Sequence, residues 1–311
     1  MKNKNCLVTG GVGFIGSHIA EKLVELGHKV RVLDNLSTGK IENINSFKNE
    51  IEFIEGDIRD YSTVKNALKN IEVVFHLAAL PSVPRSIENP LLTNDVNVNG
   101  TLNILNAMRE DGVKRMVFSS SSSVYGDTPT LPKREDMTPS PLSPYAVSKL
   151  TGEYYCKVFA NLYNLEIISL RYFNVFGPRQ DPNSEYAAVI PKFIKLMLQN
   201  KRPTIYGDGT QSRDFTYISN VVYGNLLAGT YEKSNGQVFN CACHQRVTLN
   251  ELVDKINEIL NNNIQPIYER HRVGDIEHSF ADIGAIKKSM NYEPLMIFYE
   301  GLKKTINSFI E

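Results

Sequence analysis

Thr9-Gly10-Gly11-Val12-Gly13-Phe14-Ile15-Gly16 lies between the apolar run Cys6-Leu7-Val8 and an amphipathic stretch over 16–26 that Gly27 closes. Gly10 lets the chain turn sharply at the end of a strand, and Gly13 lets backbone approach a pyrophosphate. Gly16 lets the following helix pack close to the sheet. Phe14 and Ile15 open that helix, whose unpaired N–H groups face the anion. A second strand, over 30–33, ends at Asp34 and Asn35. A carboxylate at Asp34 accepts hydrogen bonds from ribose hydroxyls and repels a ribose phosphate, so NAD is expected over NADP. The same side chain also suits a turn before Asn35.

Outward from this loop the chain alternates. Apolar strands are expected over 53–55, 73–77, 115–119 and 167–170, with helices over 62–68, 97–110 and 143–162 between them. Near-continuous apolar strands separated by helices imply a parallel sheet covered on both faces. The fold class is therefore α/β, a Rossmann-type doubly wound parallel sheet. Asp57-Ile58 and Leu77-Ala78-Ala79 follow the third and fourth strands, where adenine and the middle of the dinucleotide would lie. After Arg171 the rhythm gives way to loops rich in Pro, Gly and Asp, such as Gly177-Pro178-Arg179-Gln180-Asp181-Pro182 and Gly207-Asp208-Gly209. The expected division is a nucleotide domain over 1–175, rejoined by about 219–243. A smaller, discontinuous α/β substrate domain spans about 176–218 and 244–311.

The 311 residues hold 34 Lys plus Arg and 34 Asp plus Glu, a formal net charge of zero. No general field draws in nucleic acid or an anionic membrane, so any phosphate contact has to be local. The short polar start runs directly into the first strand, with no apolar signal core, and no apolar run reaches a membrane span. Cys6, Cys156, Cys241 and Cys243 include no Cys-x-x-Cys pair and read as reduced thiols. A cytoplasmic location is expected, and the residues suggest no metal.

Tyr145-Ala146-Val147-Ser148-Lys149 places a phenol and an ammonium four residues apart, on one helix face. The cation, joined by an oxidised nicotinamide, is expected to pull the phenol below its ordinary value of about 10. Tyr145 then serves as general base for a sugar hydroxyl, and Lys149 also holds the nicotinamide ribose. Ser119 to Ser123 follow a strand expected to end beside the nicotinamide, and Val124-Tyr125-Gly126 comes next.

These motifs, together with Arg171-Tyr172-Phe173-Asn174, Ser212-Arg213-Asp214-Phe215 and Arg272-x-Gly274-Asp275, occur in order along essentially the whole chain. The chain resembles the extended short-chain dehydrogenases/reductases, specifically their nucleotide-sugar 4-epimerases, and among these the enzymes of UDP-N-acetylglucosamine and UDP-glucose. The resemblance implies NAD-dependent inversion of C4 through a 4-keto sugar, with Ser121, Tyr145 and Lys149 catalytic. Ser122 and Ser123 lie close enough to Ser121 to leave the serine open by one or two positions. Relatives that eliminate or decarboxylate carry acidic residues just after that serine, whereas this chain has Ser122 and Ser123. The resemblance adds Ser119 and Tyr172 to the cofactor contacts. For the UDP-sugar it implies Val83, Ser122, Asn174, Ala188, Val189 and Tyr206, phosphate-binding Arg213 and Arg272, and Asp275 at the uridine ribose. Ser279 stands where relatives limit the sugar pocket, and its small side chain leaves room for a 2-acetamido group. Pro81 departs from glucose-type relatives, which have a lysine there near the cofactor phosphates. The alternatives are a UDP-uronate 4-epimerase, with Arg85 as the cation near C6, then a 4,6-dehydratase or a non-catalytic NAD-binding sensor. A homodimer joined by a four-helix bundle, from the helices near 97–110 and 143–162, is also implied.

Overall fold

In the computed structural model, which describes residues 3–183, 188–270 and 276–310, strands and helices alternate from the first apolar run onward. β1 (Asn5–Thr9), α1 (Phe14–Glu25), β2 (Lys29–Asp34), β3 (Ile51–Glu55), α2 (Tyr61–Leu68) and β4 (Val73–His76) come first. Helices α3 (Val83–Glu88), α4 (Pro90–Asn94) and α5 (Gly100–Asp111) lead to β5 (Arg115–Ser121). The long helix α6 (Pro144–Tyr163) leads to β6 (Glu166–Tyr172). Beyond it lie β7 (Val175–Phe176), α7 (Val189–Leu198), β8 (Thr204–Tyr206), β9 (Ser212–Arg213), β10 (Thr216–Tyr217), α8 (Ile218–Thr230) and β11 (Gln237–Cys241). The last part comprises β12 (Val247–Thr248), α9 (Leu249–Leu260), β13 (Ile267–Glu269), β14 (His278–Ser279), α10 (Gly284–Met290) and α11 (Phe298–Ile310).

The main sheet has seven strands in the order β11-β6-β5-β4-β1-β2-β3, all paired parallel. Its strands are apolar on both faces because both are covered. Val8 joins a core with Ile19, Val32 and Phe75, while its neighbour Leu7 joins a second core with Leu33, Val74 and Leu105. Each such fully buried side chain contributes roughly 1.5–3 kcal/mol. β11 joins the sheet at its edge, parallel to β6.

The order reverses at β1, with β2 on one side and β4 on the other. Chains leaving these strands diverge and open a crevice at their carboxyl ends, and the glycine loop sits at that switch point. The smaller sheets pair β9 with β12 and β14, β7 with β10, and β8 with β13.

One helix departs from expectation. The spacing predicts a single helix over 97–110, but helical chain already begins at Pro90, and a wide π turn over Asp95–Asn99 precedes α5. That turn aims Asn97 inward. Its Oδ1 accepts from Leu80 N at 2.7 Å, and its Nδ2 donates to Ser148 Oγ at 3.0 Å. The side chain thus ties the loop after β4 to α6. Among the described residues, no helix is long and apolar enough to cross a membrane.

Candidate active site

The glycine loop is as tight as its sequence requires. Gly10 has φ +70°, and a Cβ there would lie 2.8 Å from Ala78 N. A Cβ on Gly16 would lie 2.1 Å from Gly10 O, so only glycine lets α1 begin against the turn. Gly13 caps α1 without a side-chain hydrogen bond, leaving the first-turn N–H groups of Phe14 and Ile15 to an anion. Thr9 adds a support the sequence reading did not single out. Its Oγ1 accepts from Leu77 N and Ala78 N, both at 3.2 Å, and meets His76 Nδ1 at 2.7 Å. Leu77-Ala78-Ala79 is thereby fixed opposite the glycines.

Asp34 is buried at the end of β2 and does serve the turn. Its Oδ1 accepts from Leu36 N at 2.9 Å and its Oδ2 from Val12 N at 3.2 Å. A carboxylate has about four acceptor sites, so these backbone contacts leave capacity for a ribose hydroxyl. Burial raises its pKa, opposed by those backbone N–H groups. Asn35 and Asp57 come together, with Asn35 Nδ2 donating to Asp57 Oδ2 at 2.8 Å. Arg59, which sequence reasoning missed, bonds the same carboxylate and holds its pKa down at about 2. Ile58 is buried against Gly100. This cradle, with glycines at the points of closest approach and free acceptors at Asp34, fits a dinucleotide.

Tyr145 and Lys149 lie in the first turns of α6, which Ser143 caps by accepting from Ala146 N at 3.2 Å, with Pro144 at the first position. Lys149 is buried and its Nζ donates to Ser119 O at 2.8 Å. Burial lowers its pKa to about 8. The Lys149 ammonium is 6.0 Å from the Tyr145 ring centroid. The expectation that this cation pulls the phenol down is not met in the chain itself. Burial raises the Tyr145 pKa, and the Ser121 hydroxyl bound to the phenol is the group opposing it. Burial is the largest influence on this phenol, and the Lys149 ammonium, which donates to the Ser119 carbonyl, stands 6.0 Å from its ring.

Of the serines left open by spacing, Ser121 is the one bound to Tyr145. Ser123 serves it, donating to Ser121 Oγ from its backbone N at 3.2 Å and pairing with it through Oγ at 2.9 Å. Ser122 begins the short 3₁₀ turn Ser122–Tyr125. Tyr172 lies opposite Ser121 in the β5–β6 register, and its hydroxyl donates to Asn225 Oδ1 at 2.9 Å.

Two residues past Tyr172, the Nδ2 of Asn174 reaches Asp214 O at 3.3 Å and Ser279 Oγ at 3.4 Å. Ser279 is the register partner of Arg213 across β14 and β9. Three expected substrate residues, Asn174, Arg213 and Ser279, are thus brought together close to the serine strand. Asp214, unassigned by the sequence, organises them. Its carboxylate is fully buried, accepts from Cys243 N at 3.0 Å and Ala281 N at 3.3 Å, and has its pKa raised to about 6 by burial. Val83 opens α3, Ala188 precedes α7, Val189 begins it, and Tyr206 ends β8, each on a separate element. Arg272 and Asp275 lie outside the described residues.

Comparison with known proteins gives a consistent result. Residues 6–242 match the NAD dependent epimerase/dehydratase family. The chain is 43% identical over 303 residues to a protein of Methanocaldococcus jannaschii described as a putative UDP-glucose 4-epimerase, covering 97% of each chain. Among solved structures, it is similar to a UDP-N-acetylglucosamine 4-epimerase from Methanobrevibacter ruminantium in complex with UDP-N-acetylmuramic acid. That match has a TM-score of 0.95 at 44% identity and covers 100% of this chain and 99% of the other. It is also similar to a UDP-glucose 4-epimerase from Thermotoga maritima with UDP-glucose, with a TM-score of 0.94 at 40% identity over 98% of each chain.

Proposed function

This chain belongs to the NAD dependent epimerase/dehydratase family, and we propose that it inverts C4 of a UDP-linked N-acetylhexosamine, with UDP-glucose and UDP-galactose as a second pair. Its coarser class is that of an NAD-dependent UDP-sugar 4-epimerase, an isomerase. The observation that carries the reading is Asn174, which reaches Ser279, the register partner of Arg213, only two residues past Tyr172, itself the register partner of Ser121. A sugar nucleotide with its diphosphate at Arg213 then has its hexose between Ser279 and Tyr145.

NAD, when bound, supplies the reversible hydride acceptor that oxidation and reduction at C4 require. Gly10, Gly13, Phe14, Ile15 and Gly16 would hold its diphosphate, Asp34 and Asn35 its ribose, and Asp57-Ile58 and Leu77 to Ala79 would complete the cradle. Ser119, Lys149 and Tyr172 would hold its nicotinamide end. Tyr145 takes the proton from the sugar O4 and returns it, with Ser121 bridging the phenol and the sugar oxygen. Lys149 keeps a positive charge on the same helix face. Ser122 and Ser123 provide no carboxylate for elimination, which sets this reading above a dehydratase.

The two segments at about 176–218 and 244–311 form the sugar-nucleotide part of this reading, with Val83, Ala188, Val189, Tyr206, Arg272 and Asp275 completing the pocket. A cytoplasmic homodimer belongs to it as well. Val147, Tyr154, Val158 and Leu162 form an exposed apolar stripe along α6, with Ile87 and Leu91 exposed on α3 and α4. Such a stripe suits a partner helix pair. The direct assay incubates the purified protein with each UDP-sugar without added NAD and identifies products by NMR. A C4 epimer is expected, and its absence from every substrate refutes the reading.

Ser279 sets the substrate choice. Ser279→Tyr adds a ring where Asn174 now meets a hydroxyl, so use of the N-acetylated sugar falls roughly tenfold or more beyond any loss with UDP-glucose. Comparing kcat/KM for both sugars checks this, and equal losses contradict it.

A further inference from the structure

Behind the proposed catalytic pair lies a buried ion pair to which nothing above assigns a role. Glu153 follows Tyr145 and Lys149 at successive four-residue steps on α6, so the three share one face. Its side chain is 2% exposed and that of Arg171 is 4% exposed. Arg171 Nε donates to Glu153 Oε1 at 2.9 Å, and Arg171 Nη2 donates to Glu153 Oε2 at 2.7 Å. Ser120 Oγ donates to Glu153 Oε1 at 2.5 Å. Ser120 and Arg171 are register partners across β5 and β6, so one carboxylate clamps two strands to the helix. The guanidinium also lies 4.6 Å from the centroid of the Tyr125 ring. Gly152 allows this close approach, since a Cβ there would lie 2.4 Å from Phe118 Cζ.

We propose that Glu153 is a positioning residue for the epimerase reaction: it holds α6 against the serine strand and supplies the negative charge that faces the Lys149 ammonium. The proposal rests on the reading above. A buried ion pair is weak evidence for stability alone, because desolvation offsets much of its attraction. The placement argues for more. Glu153 binds the residue next to Ser121, and Lys149 binds the carbonyl of Ser119, so α6 is tied to β5 at the two residues just before its Tyr145 contact.

The electrostatics agree with this placement. Lys149 meets Tyr145, Glu153 and Cys156 from its own helix, His76 from β4, and the Ser119 carbonyl and Phe118 ring from β5. Burial pushes the Tyr145 phenol up and the Cys156 thiol well up, and it lowers the His76 imidazole to about 3. The Cys156 thiol and the His76 imidazole are therefore uncharged at neutral pH, while the Tyr145 phenol is the group whose proton the reaction moves. Desolvation lowers the ammonium's pKa, opposed by Cys156 and then by Glu153, and of these two Glu153 is the carboxylate. Arg171 stands on the far side of that carboxylate and binds it directly.

The test is the pH profile of kcat. In wild type, activity falls on the alkaline side as Lys149 loses its proton. Glu153→Gln keeps the shape and removes the charge, so that limb moves to lower pH by on the order of one pH unit. Glu153→Asp keeps the charge, and its limb stays with wild type whatever its thermal stability. If Glu153→Gln does not fold, Glu153→Leu combined with Arg171→Met supplies an uncharged, similarly sized pair of the kind buried sites commonly accept. Its limb also moves down. Limbs of the uncharged variants that coincide with wild type overturn the proposal, as does an Asp variant that shifts as far as the Gln variant. Wild-type protein that epimerises no UDP-sugar overturns the underlying reading instead.

Discussion

Replacing Tyr145 by Phe lowers kcat by about 10²- to 10⁴-fold, the usual worth of a positioned general acid–base, while NAD stays on the protein. Only the hydroxyl is removed. The ring keeps its place at the start of α6, and Lys149 keeps its hydrogen bond to the Ser119 carbonyl. The glycine loop, Asp34 and the Leu77-Ala78 backbone are untouched, so the cofactor cradle is intact. The measurement pairs turnover with the NAD released on denaturation. Turnover within a few-fold of wild type removes Tyr145 from the reaction. Loss of NAD alongside activity means that the phenol holds the cofactor as well as the proton.

Gly16→Ala has the second largest effect, and its sign is informative. In an open helix interior, Ala is better than Gly by roughly 1 kcal/mol. Here the new Cβ would lie 2.1 Å from Gly10 O, 2.8 Å from Gly10 C and 2.9 Å from Gly11 Cα. All three atoms are backbone, so α1 must shift or the turn must open. Overpacking of this kind costs about 1–3 kcal/mol, and contact this short with unyielding backbone belongs at the upper end. The clash therefore outweighs the helix preference. The variant is expected to melt below wild type and to purify with well under one NAD per chain. A variant that is more stable and fully loaded shows that the turn accommodates a side chain, contrary to the geometry.

Both predictions concern parts of the molecule that the sequence makes plain, for a physical reason. A strand buried on both faces leaves an unbroken apolar run, and a turn that admits no Cβ leaves glycine. Cys6-Leu7-Val8 and Gly10, Gly13 and Gly16 carry these marks, and β1, α1 and β2 fall within a few residues of their expected bounds. Less visible is any feature set by depth. Glu153, four residues after Lys149, carries no mark of its own in the sequence, and it is buried against Arg171 and Ser120. Asp214 reads as part of a loop motif, and only the fold shows its carboxylate anchoring Cys243 and Ala281 beneath Ser279.

The Tyr145 phenol illustrates the same limit. Spacing shows that a cation is near, but whether the cation prevails depends on desolvation, which belongs to the whole fold. The start of the helix before α5 was hidden for a related reason. Asn97 stands at the start of the expected helix, yet it is the hydrogen-bonded pin between Leu80 and Ser148. The seven-stranded order and the closeness of Asn174, Arg213 and Ser279 are long-range facts that no local pattern encodes.

The central claim is inversion of C4 with the hydrogen kept within the site. Its most direct test is NMR of the reaction in D₂O, with UDP-N-acetylglucosamine and then UDP-glucose, and no NAD added. The account predicts that the C4 epimer appears with protium retained at C4, because that hydrogen does not exchange with solvent. Deuterium at C4 of the product, or no epimer from either sugar, would contradict it.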